Sequence, residues 1–162
     1  MGYSVVLAVI EGSTKYLIDY IDDGRIFEHK AQILADDIYR AATGKAILAN
    51  LDYEKVQDIF KKYGPPSSDE WPEISSFDDL VAFIAQAKKD TVFKSRILHN
   101  VSQTINLGYG TAIFNKTGCI GAIGIAVHIP TAQEPDFKNE EKKIEKLLGR
   151  CAKELNRRLS FT

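Results

Sequence analysis

Hydrophobic and polar residues alternate near the start of the chain in the way that strands of a sheet require. The run from Tyr3 to Ile10 is rich in β-branched residues, and after a turn at Gly12-Ser13 the alternation resumes from Tyr16 to Ile21. This pattern predicts a β-hairpin. Asp22-Asp23-Gly24 is expected to end the second strand, and the segment from Ile26 to Leu34 is predicted to be a third, weaker strand.

The apolar residues take a helical spacing between residues 41 and 87. The first predicted helix runs from Ala41 to Leu51 and begins with small residues. Asp52 is the expected N-cap of a second helix, which Gly64-Pro65-Pro66 ends. Ser76 is the expected N-cap of a third, amphipathic helix.

Strand patterns return in the second half of the chain. Strands are predicted from Thr91 to Ile97 and from Ile105 to Phe114, and the turn Asn115–Gly118 leads into a third strand from Cys119 to Ile129. That last strand is almost wholly apolar, so we expect it to lie in the middle of the sheet. An amphipathic helix with apolar residues from Ile144 to Leu159 ends the chain. The predicted order is βββ, ααα, βββ, α.

Composition and charge narrow the possible functions. The chain has 162 residues and 18.1 kDa, 44% of its residues are hydrophobic, and its formal net charge is −1. These values fit one globular domain and provide no overall field to hold a nucleic acid. The charge is uneven, since Lys138 to Thr162 contain eight basic and four acidic residues and therefore form a basic helix face.

The sequence also carries no sign of a membrane span or of secretion. No stretch reaches the roughly 18 apolar residues of a transmembrane helix, and no cleavable apolar leader follows Met1. Two cysteines, Cys119 and Cys151, make a poor disulfide framework. We expect a protein of the reducing cytoplasm with no membrane partner.

The sequence contains no residue pattern typical of a catalytic site. Thr43-Gly44-Lys45 lacks the glycine spacing of a phosphate-binding loop. His29, His99 and His128 lack the short spacing of a metal-binding pair, and both cysteines fall in apolar patterns. We therefore predict no enzyme, no cofactor, no metal site and no catalytic residue. Binding is favoured over catalysis.

Two motifs resemble those of a known family. Residues 39–51 read YRAATGKAILANL, similar to the alanine-rich stretch leading into Gly-Lys-Ala-x-Leu-Ala of the IclR-type transcription regulators. Residues 112–127 read AIFNKTGCIGAIGIAV, which resembles that family's Pro-Ile-Phe-Asp-x-x-Gly-x-x-x-Ala-x-x-x-Ser. The resemblance runs from about Ser4 to Leu159 and corresponds to the family's C-terminal effector-binding domain.

This resemblance implies a fold and a function. The fold would be α/β (α+β) and GAF/profilin-like, an antiparallel sheet of about six strands with flanking helices, and residues 1–162 would form a single effector-binding domain. Such a domain senses a small-molecule effector and forms a homodimer or homotetramer. It controls the DNA binding of an N-terminal winged helix-turn-helix domain, which is absent from this chain.

The resemblance also implies a ligand site. The matching positions come from the start of the first helix, the fifth strand and the last strand. They are Ala41, Ala42, Thr43, Gly44, Asn106, Gly108, Tyr109, Gly110, Thr111, Gly124 and Ala126.

The chain departs from the family at several pocket positions. The family's cysteine falls at or near Gly108, its proline at Ala112 and its serines at Gly124 and Ala126. Thr43, Thr111, Asn106 and the backbone amides near Gly44 are left as candidate polar groups. A larger or more apolar effector, with Tyr109 and Phe93 as aromatic walls, fits this residue set better than a small keto acid does.

Three hypotheses stay open at this point. The first is the sensing and oligomerisation domain of an IclR-type regulator. The second is a freestanding GAF-like ligand-binding or dimerisation module without DNA function, which includes a degenerate domain that binds nothing. The third is an enzyme on the same scaffold, which no group of residues supports.

Overall fold

One antiparallel sheet runs through the molecule. The computed structural model describes residues 2–22, 25–26, 32–33, 38–88 and 91–161. The strands are β1 (Gly2–Glu11), β2 (Thr14–Asp22), β3 (Arg25–Ile26), β4 (Gln32–Ile33), β5 (Phe93–His99), β6 (Thr104–Asn115) and β7 (Gly118–Pro130). They lie in the order β3-β2-β1-β7-β6-β5, and β4 pairs with β2. Every pairing is antiparallel.

The described helices lie on both faces of this sheet. They are α1 (Ala42–Leu48), α2 (Tyr53–Tyr63), α3 (Phe77–Gln86) and α4 (Lys138–Leu159), with a 3₁₀ helix (Thr131–Phe137) before α4. Ala46 and Ile47 of α1 pack on Ala8 and Ala122 of the sheet. On the opposite face, α4 packs on β6 and β7 through residues such as Leu148. The result is a layer of helices α1–α3, the sheet, and a layer formed by α4.

The α+β fold class expected from the sequence is confirmed. Five long strands and two strands of two residues stand where about six strands were expected. The predicted third strand, Ile26 to Leu34, is described only as β3 and β4, and the rest of it lies outside the described residues, as does Asp23-Gly24 of the predicted turn. The 3₁₀ helix was not predicted; Pro135 lies inside it.

Helix ends follow local rules where side chains can reach the backbone. Ser76 forms a capping box with Asp79, in which each side chain accepts a hydrogen bond from the other residue's backbone N–H. Gly64 ends α2 with φ of 72°, a conformation that glycine adopts without strain. Asp52 stands at the N-cap position of α2 as predicted, but its side chain makes no capping hydrogen bond.

Among the helices of the described residues, none combines the length and apolar character needed to cross a lipid bilayer.

Candidate functional site

A cavity of about 250 Å³ lies between the start of α1 and the sheet. It is mostly apolar, with a few polar side chains. Its lining residues are Val6, Lys15, Leu17, Ala41, Ala42, Thr43, Ser95, Ile97, Asn106, Leu107, Gly108, Tyr109, Gly124, Ile125 and Ala126. A concave, mainly apolar site with few polar groups is typical of a small-molecule site.

Glycines in β6 and β7 allow α1 to approach the sheet closely. A Cβ atom at Gly110 would lie 2.7 Å from the backbone N of Thr43, and one at Gly124 would lie 2.7 Å from the Cγ2 of the same threonine. Real Cβ atoms do not approach so closely. The small residues of β6 and β7 therefore allow the first turn of α1 to rest on the sheet, beside the cavity.

A buried lysine contributes a hydrogen-bond donor to the cavity wall. Lys15, at the start of β2, is only 2% exposed. Its Nζ donates a hydrogen bond to Oγ1 of Thr43 at 3.3 Å. Buried charges are stabilised by such bonds, and a lysine at a cavity wall favours ligands with hydrogen-bond acceptors or negative charge.

Asn106 of β6 is another polar residue in the cavity wall. Its Oδ1 accepts a short hydrogen bond from Nδ1 of His128 on the neighbouring strand. The ring of His99 lies 6.0 Å from that of His128, centroid to centroid. Neither His99 nor His128 is among the residues that line the cavity. His29 lies outside the described residues.

Most of the site residues expected from the sequence line this one cavity. They are Ala41, Ala42, Thr43, Asn106, Gly108, Tyr109, Gly124 and Ala126. Gly44, Gly110 and Thr111 lie outside its lining. Gly44 packs against the backbone of Ile38, and Gly110 packs against the backbone of α1. The hydroxyl of Thr111 donates to the backbone oxygen of Thr91.

The rings of Tyr109 and Phe93 do not form the aromatic walls expected from the sequence, although Tyr109 itself is one of the lining residues. Successive residues of a strand point to opposite faces of the sheet. Gly108 and Gly110 face α1, so the side chain of Tyr109 between them points to the other face. Its ring stacks on Phe137, 6.5 Å between centroids, and its hydroxyl donates to Glu141 at 2.9 Å. Phe93 packs on Phe83 at 5.6 Å and does not line the cavity.

The position of Tyr109 also changes its acid-base behaviour. Burial, and then the hydrogen bond to the Glu141 carboxylate, raise the pKa of the Tyr109 hydroxyl well above its ordinary value of 10.0. The phenol therefore stays protonated and keeps donating to Glu141. It belongs to the packing of α4 on the sheet.

Seven residues that sequence reasoning missed also line the cavity: Val6, Lys15, Leu17, Ser95, Ile97, Leu107 and Ile125. The first five come from the first hairpin and from β5, and the last two come from β6 and β7. Lys15 could have been found by counting, because a strictly alternating β2 places Lys15 and Leu17 on one face. Nothing in the sequence states which of the two faces meets α1.

The other candidate groups among the described residues are placed for packing. Burial raises the pKa of the Cys119 thiol to about 11, which disfavours the thiolate that a nucleophile needs. Lys45 lies over the ring of Trp71 at 4.8 Å, and burial lowers the pKa of its ammonium. In the part of the chain that the structure describes, no three His, Cys, Asp or Glu side chains form a group that could hold a metal ion.

Among known proteins, the similarity lies in solved structures and not in sequence. No protein-family model matches the sequence, and no curated protein matches it. A Silicibacter protein assigned as an IclR transcriptional regulator superposes with a TM-score of 0.68 at 18% identity, over 97% of this chain and 60% of that one. The IclR protein of Thermotoga maritima gives 0.65 at 18% identity, over 97% and 61%.

A third similar structure contains a ligand. The inducer-binding domain of the Acinetobacter transcription factor PobR, solved as a double mutant with 3-hydroxybenzoic acid, gives a TM-score of 0.61 at 19% identity. The match covers 96% of this chain and 87% of that domain. At such identities the similarity establishes the fold: this chain has the fold of the effector-binding domains of IclR-type regulators, as its motifs suggested. The chain spans about 60% of the length of the two regulators named above.

Proposed function

We propose that this chain is the small-molecule-sensing and oligomerisation domain of an IclR-type transcription regulator, and that it has no enzymatic activity. The observation that carries the proposal is the cavity of about 250 Å³ beside the first turn of α1, in a fold shared with effector-binding domains. Occupancy of this cavity changes the position of α1 and so biases the domain between two arrangements.

The lining indicates the chemical class of the effector. Val6, Leu17 and Ile97 offer an apolar wall, while Lys15 and Thr43 offer hydrogen-bond donors. We infer a compact organic molecule with an apolar body and an acceptor or acidic group that meets Lys15. The PobR domain, which was solved with 3-hydroxybenzoic acid, supports a ligand of this kind.

The partners follow from the same proposal. DNA is bound through a winged-helix domain outside this chain, since a net charge of −1 gives the chain no field for nucleic acid. The domain forms a homodimer or homotetramer. Large apolar side chains such as Val5, Ile18 and Leu147 are 37–47% exposed, which supports association of copies. Both cysteines are free, in accord with a place in the cytoplasm.

The experiment is thermal unfolding of the full chain against a panel of aromatic acids, small carboxylates, sugars and purine-derived metabolites. A ligand at 100 times its dissociation constant adds about 2.7 kcal/mol to the free energy of unfolding and raises the midpoint by several degrees. Ala126→Leu fills the cavity from β7 and should abolish the shift. Ala82→Leu on the exposed side of α3 is the matched control and should retain it.

Two outcomes would contradict the proposal. A ligand whose shift survives Ala126→Leu binds elsewhere, and the cavity is then not the sensor. No shift across the panel would favour the freestanding dimerisation module. Light scattering of the same samples tests association, since a homo-oligomer has at least twice the monomer mass of 18.1 kDa.

A further inference from the structure

A second cavity, of about 410 Å³, lies on the opposite side of the sheet, between β6 and α4. We call it the basic groove. Three cationic side chains of α4, Lys146, Arg150 and Lys153, line it, and Phe114 of β6 forms part of its wall. The basic helix face seen in the sequence is thus turned toward a concave surface.

The acidic residues of the same helix are engaged elsewhere. Glu140 pairs with Lys143 and Glu154 pairs with Arg157 and Arg158. Glu141 and Glu145 both bind Lys94 of β5. Within the described parts of the chain, Lys146, Arg150 and Lys153 form no ion pair. Their positive charges therefore have no carboxylate partner among the described residues.

The spacing of these three cations lowers the stability of α4, because their like charges repel one another. Lys146 and Arg150 are four residues apart and Arg150 and Lys153 are three apart, so like charges face each other on one side of α4. An anion between them would relieve this repulsion. The guanidinium of Arg150 can bind two oxygens of one anion at once.

The floor of the groove is open at a glycine. Gly149 lies in the middle of α4, where glycine disfavours the helix, and a Cβ atom there would have no atom within 4 Å. Packing therefore does not require glycine at this position. Its absent side chain leaves room for a ligand between the cations. At the end of the groove, Oδ1 of Asn156 accepts from the backbone N of Phe114 at 2.8 Å, which leaves its amide hydrogens as donors.

We propose that the basic groove binds a small molecule that carries a phosphate group. Three cations match the two charges and several oxygens of a phosphate ester better than they match a single carboxylate. The site is independent of the effector cavity, because the sheet separates the two. This proposal therefore stands or falls separately from the sensing function.

The test is a titration of ¹⁵N-labelled full chain with sodium pyrophosphate at constant ionic strength. We expect saturable shifts of the backbone amide signals of Gly149 and Phe114. Arg150→Gln with Lys153→Gln should weaken binding by about tenfold or more, because charge-assisted hydrogen bonds are lost. The control, Lys61→Gln with Lys88→Gln, removes the same charge from exposed positions outside the groove and should leave the affinity unchanged.

A second variant separates the geometry from the charge. Gly149→Leu keeps every cation and favours the helix, but fills the floor of the groove, so it should abolish binding without lowering the unfolding midpoint. Ala126→Leu, on the other face, should bind pyrophosphate normally. The proposal is overturned if no saturable shift occurs, if both double variants weaken binding equally, or if citrate binds as tightly as pyrophosphate.

Discussion

Lys15 and Thr43, 28 residues apart in sequence, meet through a buried hydrogen bond of 3.3 Å between the lysine ammonium and the threonine hydroxyl. The bond joins the start of β2 to the first turn of α1. Both residues line the effector cavity. A molecule that enters the cavity and accepts a hydrogen bond from Lys15 therefore competes with, or adds to, a contact that holds α1 on the sheet.

Lys15→Met tests this arrangement, because methionine keeps the length and apolar stem but removes the charge. We expect the affinity for acidic members of the ligand panel to fall about tenfold or more, and the affinity for neutral members to change little. Isothermal titration measures both. Lys62→Met is the matched control, since that lysine also bonds a threonine hydroxyl, Oγ1 of Thr14 at 3.2 Å, but is exposed. Equal losses for acidic and neutral ligands would count against a direct role for Lys15.

Gly110→Ala tests whether α1 depends on a bare strand beneath it. The new methyl carbon would lie 2.7–2.8 Å from backbone atoms of Thr43 and Ala42, which cannot move without displacing the helix. We expect a loss of about 1–3 kcal/mol in the free energy of unfolding, measured by urea denaturation. Gly149→Ala is the opposite case, because its methyl group meets nothing and alanine favours a helix, so it should add up to about 1 kcal/mol. Two changes of the same sign would refute this interpretation of the glycines.

Tyr109→Phe separates packing from ligand binding. The substitution removes the hydroxyl that donates to Glu141 and should lower the free energy of unfolding by about 1 kcal/mol. Because the ring lies on the α4 side of the sheet, the affinity of the effector cavity for its ligand should not change. A selective loss of affinity, with unchanged stability, would show that the Tyr109 hydroxyl contacts the ligand.

Asp79→Asn tests the pH dependence of the capping box. Hydrogen bonds from the backbone N–H and the hydroxyl of Ser75, and from Ser76, hold the pKa of the Asp79 carboxyl below its ordinary value of 3.8. A carboxyl with a lowered pKa stabilises the folded state above its ordinary pKa, and this contribution is lost as the pH falls through its value in the folded protein. The variant should unfold at lower urea than the wild type at pH 7, and the two midpoints should converge as the pH falls below 3.8, through the pKa of the carboxyl in the folded protein.

The matched control for that experiment is Asp58→Asn, an exposed position in the middle of α2. It should move the midpoint little at either pH. If the gap between Asp79→Asn and the wild type persists unchanged at low pH, the ionised capping box is not its source.

Part of the site was predictable because it rests on local patterns. The small residues that open α1 and the glycines of β6 and β7 are visible in the sequence, and they do meet: Cβ positions at Gly110 and Gly124 fall against Ala42 and Thr43. Tyr109 lines the cavity as expected, but its ring forms no aromatic wall, because a tyrosine next to pocket glycines on a strand points to the other face. Ser95 and Ile97 were missed because they join the cavity through the pairing of β5 with β6, which sets Ser95 opposite Gly108 and Ile97 opposite Asn106.

The sequence by itself determined the order of the long strands and the α-helices, the first hairpin, the N-cap at Ser76 and the sheet-and-helix fold class, because each follows from a repeat or a residue preference within a few positions. Only the tertiary structure decided which face of β2 meets α1, and so placed the ammonium of Lys15 beside Thr43. It also decided that the acidic residues of α4 pair away from the basic groove. The physical reason is that a strand presents two equivalent faces and a helix several, and only the packing of distant segments selects among them.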